Sequence, residues 1–278
     1  MSRIIITADS TFDMQPQTAE ALDIKVIPSY VRMGEGDLPD YPDVTMFDLF
    51  EYHDKSGKLP QTSAASPWDY TEFFKQFEGD DVDIVHIAKS SKMSCCRDNA
   101  EAAVQSVKNL HVFDSLTIAG GSAMIAAEAA RLRDKGCGVV ELLDALDDFR
   151  GKIAGAFIVE HLDYLRKGGR CSALAHMGAN ILRLRPQIVI RDGAMTVGKK
   201  YRGKYEKCLH ELIDDVLGSA SGRETAYVSH TIVDEELLDD TIAYLQAKGG
   251  FKQIVVQPAG SAVSCHCGPS TFGIFLEK

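Results

Sequence analysis

An apolar strand, a polar tip and then a helix: the first half of this chain repeats that order, and the repetition restricts its fold more than any other feature. Ile4-Ile5-Ile6-Thr7 runs into Asp9-Ser10-Thr11, with a helix expected over 15–22. Val82 to Ala88 runs into Ser90-Ser91-Lys92-Met93-Ser94, and the helical stretch after it carries Ala100, Ala102, Ala103, Val104 and Val107. His111-Val112-Phe113 runs into Asp114-Ser115, and an Ala-rich helix begins near Ala119-Gly120. Strands alternating with helices imply a parallel sheet. Such a sheet binds ligands at the carboxyl ends of its strands, beside helix N-termini, and every one of these polar tips falls on that edge.

Near residue 150 the pattern changes. Ile153 to Val159 reads as a strand, 174–184 as a helix of small and apolar residues, and Ile188 to Val197 as a hairpin turning at Asp192-Gly193. Thr225 to Ser229 and Gln253 to Val256 read as further strands. The expectation is an α/β chain of two domains. An N-terminal α/β domain with a parallel sheet covers 1–150, and a C-terminal α+β domain with a mostly antiparallel sheet covers 151–278. The segment 32–61, rich in Asp, Gly and Pro, reads as an excursion over the surface with a short helix near Met46 to Phe50, ending in a turn-like stretch.

With 278 residues and 45% hydrophobic content the chain can bury a full core. A formal net charge of -10 repels phosphate backbones and anionic membranes, so no nucleic acid partner is expected. The one basic run, Lys199-Lys200-Tyr201-Arg202-Gly203-Lys204, is either a solvated face or a partner contact. Met1 to Ile6 is too short an apolar run for a signal peptide, and no stretch approaches the roughly 18 apolar residues of a spanning helix. A cytoplasmic protein without stable membrane insertion is expected. Seven cysteines, an odd and scattered set, read as reduced thiols.

Several local features carry candidate chemistry. Thr62-Ser63-Ala64-Ala65-Ser66-Pro67 places hydroxyls before a helix holding Trp68 and Tyr70. Ser90 to Ser94 places hydroxyls at a strand end and a helix start. Each set serves as helix caps, as a small-anion site, or as both, because helix N-termini offer free N–H groups and a positive dipole end. Gly168-Gly169-Arg170 is either a helix C-terminus capped by glycine or an arginine fork for an anion. Cys265-His266-Cys267-Gly268-Pro269 suits a metal poorly, since zinc sites want a longer spacing and a second ligand pair. A fixed turn beside a functional histidine is the better reading. A cysteine nucleophile at Cys95 or Cys96 paired with His266, as in a hydrolase or acyltransferase, is the alternative. No phosphate-binding glycine loop or dinucleotide fingerprint is present, so no cofactor is expected.

Taken in order, these motifs resemble the DegV family, bacterial fatty-acid-binding proteins that work with a fatty acid kinase. The resemblance runs end to end. It is carried by Asp9-Ser10-Thr11, Thr62-Ser63 with Ser66-Pro67, Ser90 to Ser94, Asp114-Ser115, Leu162 through Ser172, Arg185-Pro186 with Asp192-Gly193, and His266 to Pro269. It implies two domains, the first of the EDD/DegV-like type, with a long-chain fatty acid between them. It implies a carboxylate held by Thr62 and Ser94 with His266 close by, and Ser63, Cys95, Ser115 and Gly120 as possible neighbours of the head group. An acyl tunnel is expected to use Phe157, Leu174, Met177, Ile181 and Phe272. Arg170 is expected to meet the kinase, which phosphorylates the bound carboxylate, so the chain itself is a carrier and not an enzyme. Two positions depart from the family's pattern. Cys95 and Cys96 follow Ser94 where Gly is usual, and Ser270 stands where a second Gly usually follows Pro269.

Overall fold

The computed structural model describes residues 2–170 and 184–278. In chain order the elements are β1 (Arg3–Asp9), α1 (Pro16–Ala21), β2 (Ile24–Ile27), β3 (Tyr30–Arg32), β4 (Asp37–Pro39), α2 (Met46–Ser56), β5 (Gln61–Ser63), α3 (Pro67–Lys75), β6 (Val82–Ala88), α4 (Cys96–Ala102) and β7 (Leu110–Asp114). There follow α5 (Gly120–Asp134), α6 (Val139–Lys152), β8 (Ile153–Val159), α7 (Leu162–Gly168), β9 (Leu184–Arg191), β10 (Ala194–Arg202), α8 (Tyr205–Leu217), β11 (Thr225–His230), α9 (Glu235–Gly249), β12 (Gln253–Pro258), α10 (Ser261–Cys267) and β13 (Thr271–Glu277).

The expected parallel sheet is present, in the order β2-β1-β6-β7 with every pairing parallel. Its strands are nearly continuous apolar runs because helices cover both faces. Ile4, Ile6, Val85 and Ile87 pack on one side with α5 and α6, while Ile84 packs on the other with Tyr70 and Phe74 of α3 and with Cys96 and Ala100 of α4. A second sheet, ordered β10-β9-β8-β13-β11-β12, is antiparallel except for the β11–β12 pair. The β9–β10 hairpin turns at Asp192 and Gly193, with φ of 49° and 80°, as its Asp-Gly pair demands. Helix α5 runs between the two sheets. Its first turns, Gly120 through Ala126, are buried throughout, and small side chains let it lie close to β1 on one side and to β11 and β13 on the other.

Two features differ from the sequence expectation. The segment 32–61 is not a mere excursion, because β3, β4 and β5 form a small antiparallel sheet. It also packs inward: Val31 and Leu49 are buried against Cys265 of α10. Thr62-Ser63 is therefore strand, not turn. The other difference is β13, a central strand that periodicity does not reveal. It is buried on both faces, so Thr271 to Leu276 show no polar–apolar alternation. Among the described residues no helix is long and apolar enough to cross a membrane.

Candidate functional site

The site is built where the polar tips of the parallel sheet meet α10. Strand β5 pairs Thr62 with Val31, which fixes Thr62 beside the last turn of α10. There Thr62 Oγ1 and His266 Nε2 are hydrogen-bonded at 2.9 Å. The start of α10 is pinned from the tip of β1, where Asp13 Oδ1 accepts the Gly260 N–H at 2.9 Å. Its end is fixed by Gly268, at φ 70° and ψ -178°, a backbone region open essentially to glycine alone. Helix α7 crosses α10 closely: a Cβ on Gly168 would lie 2.4 Å from His266 Nδ1.

Ser94, in the turn after β6, accepts the Cys96 N–H on its Oγ at 3.3 Å, and Ser66 accepts the Asp69 N–H at 3.2 Å. Ser66 is thus a helix cap. Ser94 caps α4 and also lines the same cleft as Thr62 and His266. That cleft has an empty volume of about 890 Å³, part of it open to solvent. Thr62, Ser63, Ser94, Lys89 and His266 are among its polar lining. The rest of its wall is largely apolar, with Phe157, Ile118, Met195, Val263 and Phe275 among its members. Arg170 also lines the cleft, while its Nη1 donates to the Gly168 carbonyl at 2.7 Å. Gly169 caps α7 in the left-handed region, so the glycine-cap reading of 168–170 holds.

Other expected residues fall elsewhere. Phe272 is not on the cleft: alternation along β13 turns Thr271, Gly273 and Phe275 to it, and Phe272, opposite Ile158, to the core beneath α8. Ser115 is consumed within the β7–α5 turn, bonded to Ser122 Oγ and the Thr117 carbonyl, both at 3.2 Å. Gly120 stands behind the wall, where its N–H donates to Ser229 Oγ at 3.1 Å. Cys95 is exposed and faces Asn99. Leu174, Met177 and Ile181 lie outside the described residues. The Cys/His arrangement does not form with the expected thiols. Neither Cys95 nor Cys96 lines the cleft, and burial raises the Cys96 thiol above its ordinary range. Cys267 does line it, but burial pushes that thiol up to about 12.

Thr11, from the polar tip after β1, is on the cleft, and so are Lys89 and Ser29, which the sequence does not flag. Lysine straight after an apolar strand reads as solvated, yet Lys89 is only 7% exposed.

His266 is neutral near pH 7. Burial, then the positive charges of Arg170 and Lys89, lower it from 6.5 to about 4. Between those values the unfolded chain binds more protons than the folded one, so stability is full above about pH 6.5 and is lost as pH falls toward 4. His266→Gln is expected to lose about 1 kcal/mol less than the parent chain between pH 7 and pH 5. Urea midpoints at the two pH values check this, and equal losses would contradict it.

The family described as "Uncharacterised protein, DegV family" matches residues 3–278. The chain belongs to the DegV family. A DegV domain-containing protein of Caldanaerobacter subterraneus is 28% identical, with 100% of each chain covered. A Thermotoga maritima relative named "Fatty acid-binding protein" is 27% identical, over 99% of this chain and 98% of that one. Among solved structures, a DegV family protein from Thermus thermophilus, described by its fatty acid binding, superimposes with a TM-score of 0.91 at 26% identity, covering 98% of each chain. DegV of Bacillus subtilis, described as a fatty acid binding protein, gives 0.87 at 25% identity over 100% of both. The DegV fold therefore spans the whole chain, parallel and mixed sheets alike.

Proposed function

We propose that the chain binds one long-chain fatty acid in this cleft and presents its carboxylate to a fatty acid kinase. The observation that carries the proposal is the cleft's lining: a largely apolar wall that also holds the hydrogen-bonded Thr62 and His266 pair and the Ser94 hydroxyl. The DegV relatives named for fatty acid binding support it. In this reading residues 1–150 form a domain that supplies the hydroxyl end, and 151–278 a domain that supplies His266 and much of the acyl wall, Phe157 included. Leu174, Met177 and Ile181 remain proposed tunnel residues; Phe272 does not.

The hydrogen bonds support a division of roles. We assign the neutral His266 ring a proton on Nε2, donated to Thr62 Oγ1. The Thr62 hydroxyl is then free to donate to a carboxylate, and in this reading the Ser94 hydroxyl, which donates to Cys96 Sγ at 3.3 Å, turns to do the same, with Ser63 also on the cleft. Magnitudes divide the work. Each buried methylene contributes about 0.8 kcal/mol, so a tail of about 16 carbons gives roughly 12 kcal/mol before ordering and association costs. A hydrogen bond to a charged group gives about 1.5–3 kcal/mol net, most of it spent on desolvating the carboxylate. The tail sets affinity and the hydroxyls set orientation.

The chain then acts as a carrier. A carboxylate oxygen bonds to the γ-phosphorus of ATP on the kinase, the bond to the β-phosphate oxygen breaks, and acyl-phosphate and ADP result. The partnership implies a cytoplasmic location. Arg170, at the cleft and exposed, serves the encounter. Arg170→Ala is expected to keep its extractable lipid while raising the KM for the carrier in the kinase reaction about tenfold. A variant purified without lipid would contradict that role. The proposal as a whole is tested by mixing the chain, a fatty acid kinase, fatty acid and ATP. ADP release should require all four, and release without the chain would count against it.

A further inference from the structure

Two hydroxyls and a neutral histidine bring dipoles to a buried carboxylate, but no full charge. Lys89 brings one. It follows β6 directly, is 7% exposed, and lines the same cleft as Thr62, Ser94 and His266. Its Nζ donates to Ser29 Oγ at 2.9 Å. Among the described residues it forms no ion pair. Asp9 is occupied by the Tyr70 hydroxyl, by the Lys89 backbone N–H at 2.8 Å and by His86 at 3.5 Å. Asp40 accepts Ser10 Oγ at 2.9 Å.

An ammonium carries three donors, and a buried charge is normally paired. Here one donor meets the Ser29 hydroxyl and another the Cys96 sulfur, and among the described residues no carboxylate lies within ion-pair distance of the charge. The group is nonetheless ionised: burial lowers its pKa, but the Cys96 sulfur, Asp9 and Asp40 more than offset this and raise it. An ionised cation on the wall of a cleft, held charged by Asp9 and Asp40 but in ion-pair contact with neither, suits an anion in the cleft. We infer that Lys89 is the counter-cation of the bound ligand's carboxylate, a head-group residue beside Thr62 and Ser94 that selects ionised fatty acids over alcohols and esters of the same length. This rests on the proposed reading of the cleft as a fatty acid site. It adds the source of that site's specificity, because an alcohol fills the apolar wall equally well but leaves the ammonium without its partner.

The test is competition of oleate and oleyl alcohol against a fluorescent fatty acid, for the parent chain and for Lys89→Met, which keeps an unbranched side chain one atom shorter and removes its charge. The parent chain should prefer oleate by at least about tenfold, the ratio one charge-assisted hydrogen bond gives. Lys89→Met should bring the ratio below about threefold, by weakening oleate and not the alcohol. An unchanged ratio in Lys89→Met overturns the inference and leaves the fatty acid reading intact. A parent chain that binds neither lipid overturns the reading of the cleft itself, and this inference with it.

A second measurement needs no variant. The charged and titratable groups on the cleft are Lys89, Arg170 and neutral His266, and Asp9 and Asp40 act on Lys89. In oleate labelled with ¹³C at the carboxyl and bound to the parent chain, the resonance should remain that of the anion down to about pH 5, because an adjacent cation holds a carboxyl low. Protonation above about pH 6 would show burial without a counter-charge and overturn the assignment.

Discussion

Ser94→Ala is expected to cut kinase-coupled acyl-phosphate formation about 100-fold while fatty acid affinity falls by less than about tenfold. The asymmetry follows from the division between tail and head group. The acyl chain supplies most of the binding free energy, so removing one hydroxyl leaves the ligand in place. In-line attack on a phosphoryl group depends on where the carboxylate oxygen points, and a misplacement of about 1 Å costs about two orders of magnitude. Folding should survive the change. Ser94 Oγ accepts one N–H at the start of α4, at 3.3 Å, and losing such a cap costs about 1 kcal/mol. ADP release with the kinase present, set beside probe displacement without it, separates the two effects. Turnover equal to that of the parent chain would remove Ser94 from the head-group site.

Gly268→Ala is expected to destabilise the chain by about 3–4 kcal/mol and lower Tm by roughly 6–10 °C. Two costs add. At φ 70° and ψ -178° an alanine is strained by about 1–3 kcal/mol. Its Cβ would also lie 2.5 Å from Tyr164 Cδ2 and 2.6 Å from Cγ, and Tyr164 is a buried ring on α7 with little room to retreat. The turn is also clamped in place, since the Gly268 carbonyl accepts Thr231 Oγ1 at 2.6 Å, and Thr231 Oγ1 accepts the Thr271 N–H at 2.8 Å. Because this turn ends α10, any survivor should also show a displaced His266. Thermal melts measure the first effect. A Tm within 2 °C of the parent would mean, on the same scale of roughly 2–3 °C per kcal/mol, that the strain is not there.

The elements that chemistry writes plainly were legible in the sequence. Val82 to Ala88 and Ile153 to Val159 coincide with β6 and β8 to the residue, because each apolar run is cut off by polar or charged neighbours. The Asp192-Gly193 hairpin was equally plain. Strand β13 was not, since a strand buried on both faces has no alternation to detect and Gly273 interrupts its apolar run. Phe272 is expected on the cleft for the same reason: without the strand the sequence holds no parity to decide which side chains face it. Thr62 and His266, 204 residues apart, were tied together only by the resemblance, because nothing local in either segment requires the other. Lys89 carries no local signal, because composition treats lysine as surface and only tertiary packing shows its charge to be buried. Ser270, at φ 56°, sits in the left-handed region, a backbone reason for the glycine more usual at that position.

Native mass spectrometry of the intact chain, followed by solvent extraction and lipid analysis, tests the central claim most directly. The account predicts one fatty acid per chain, released on unfolding and regained when oleate is returned to the stripped protein. A chain that purifies without fatty acid and takes up none when oleate is supplied would contradict it.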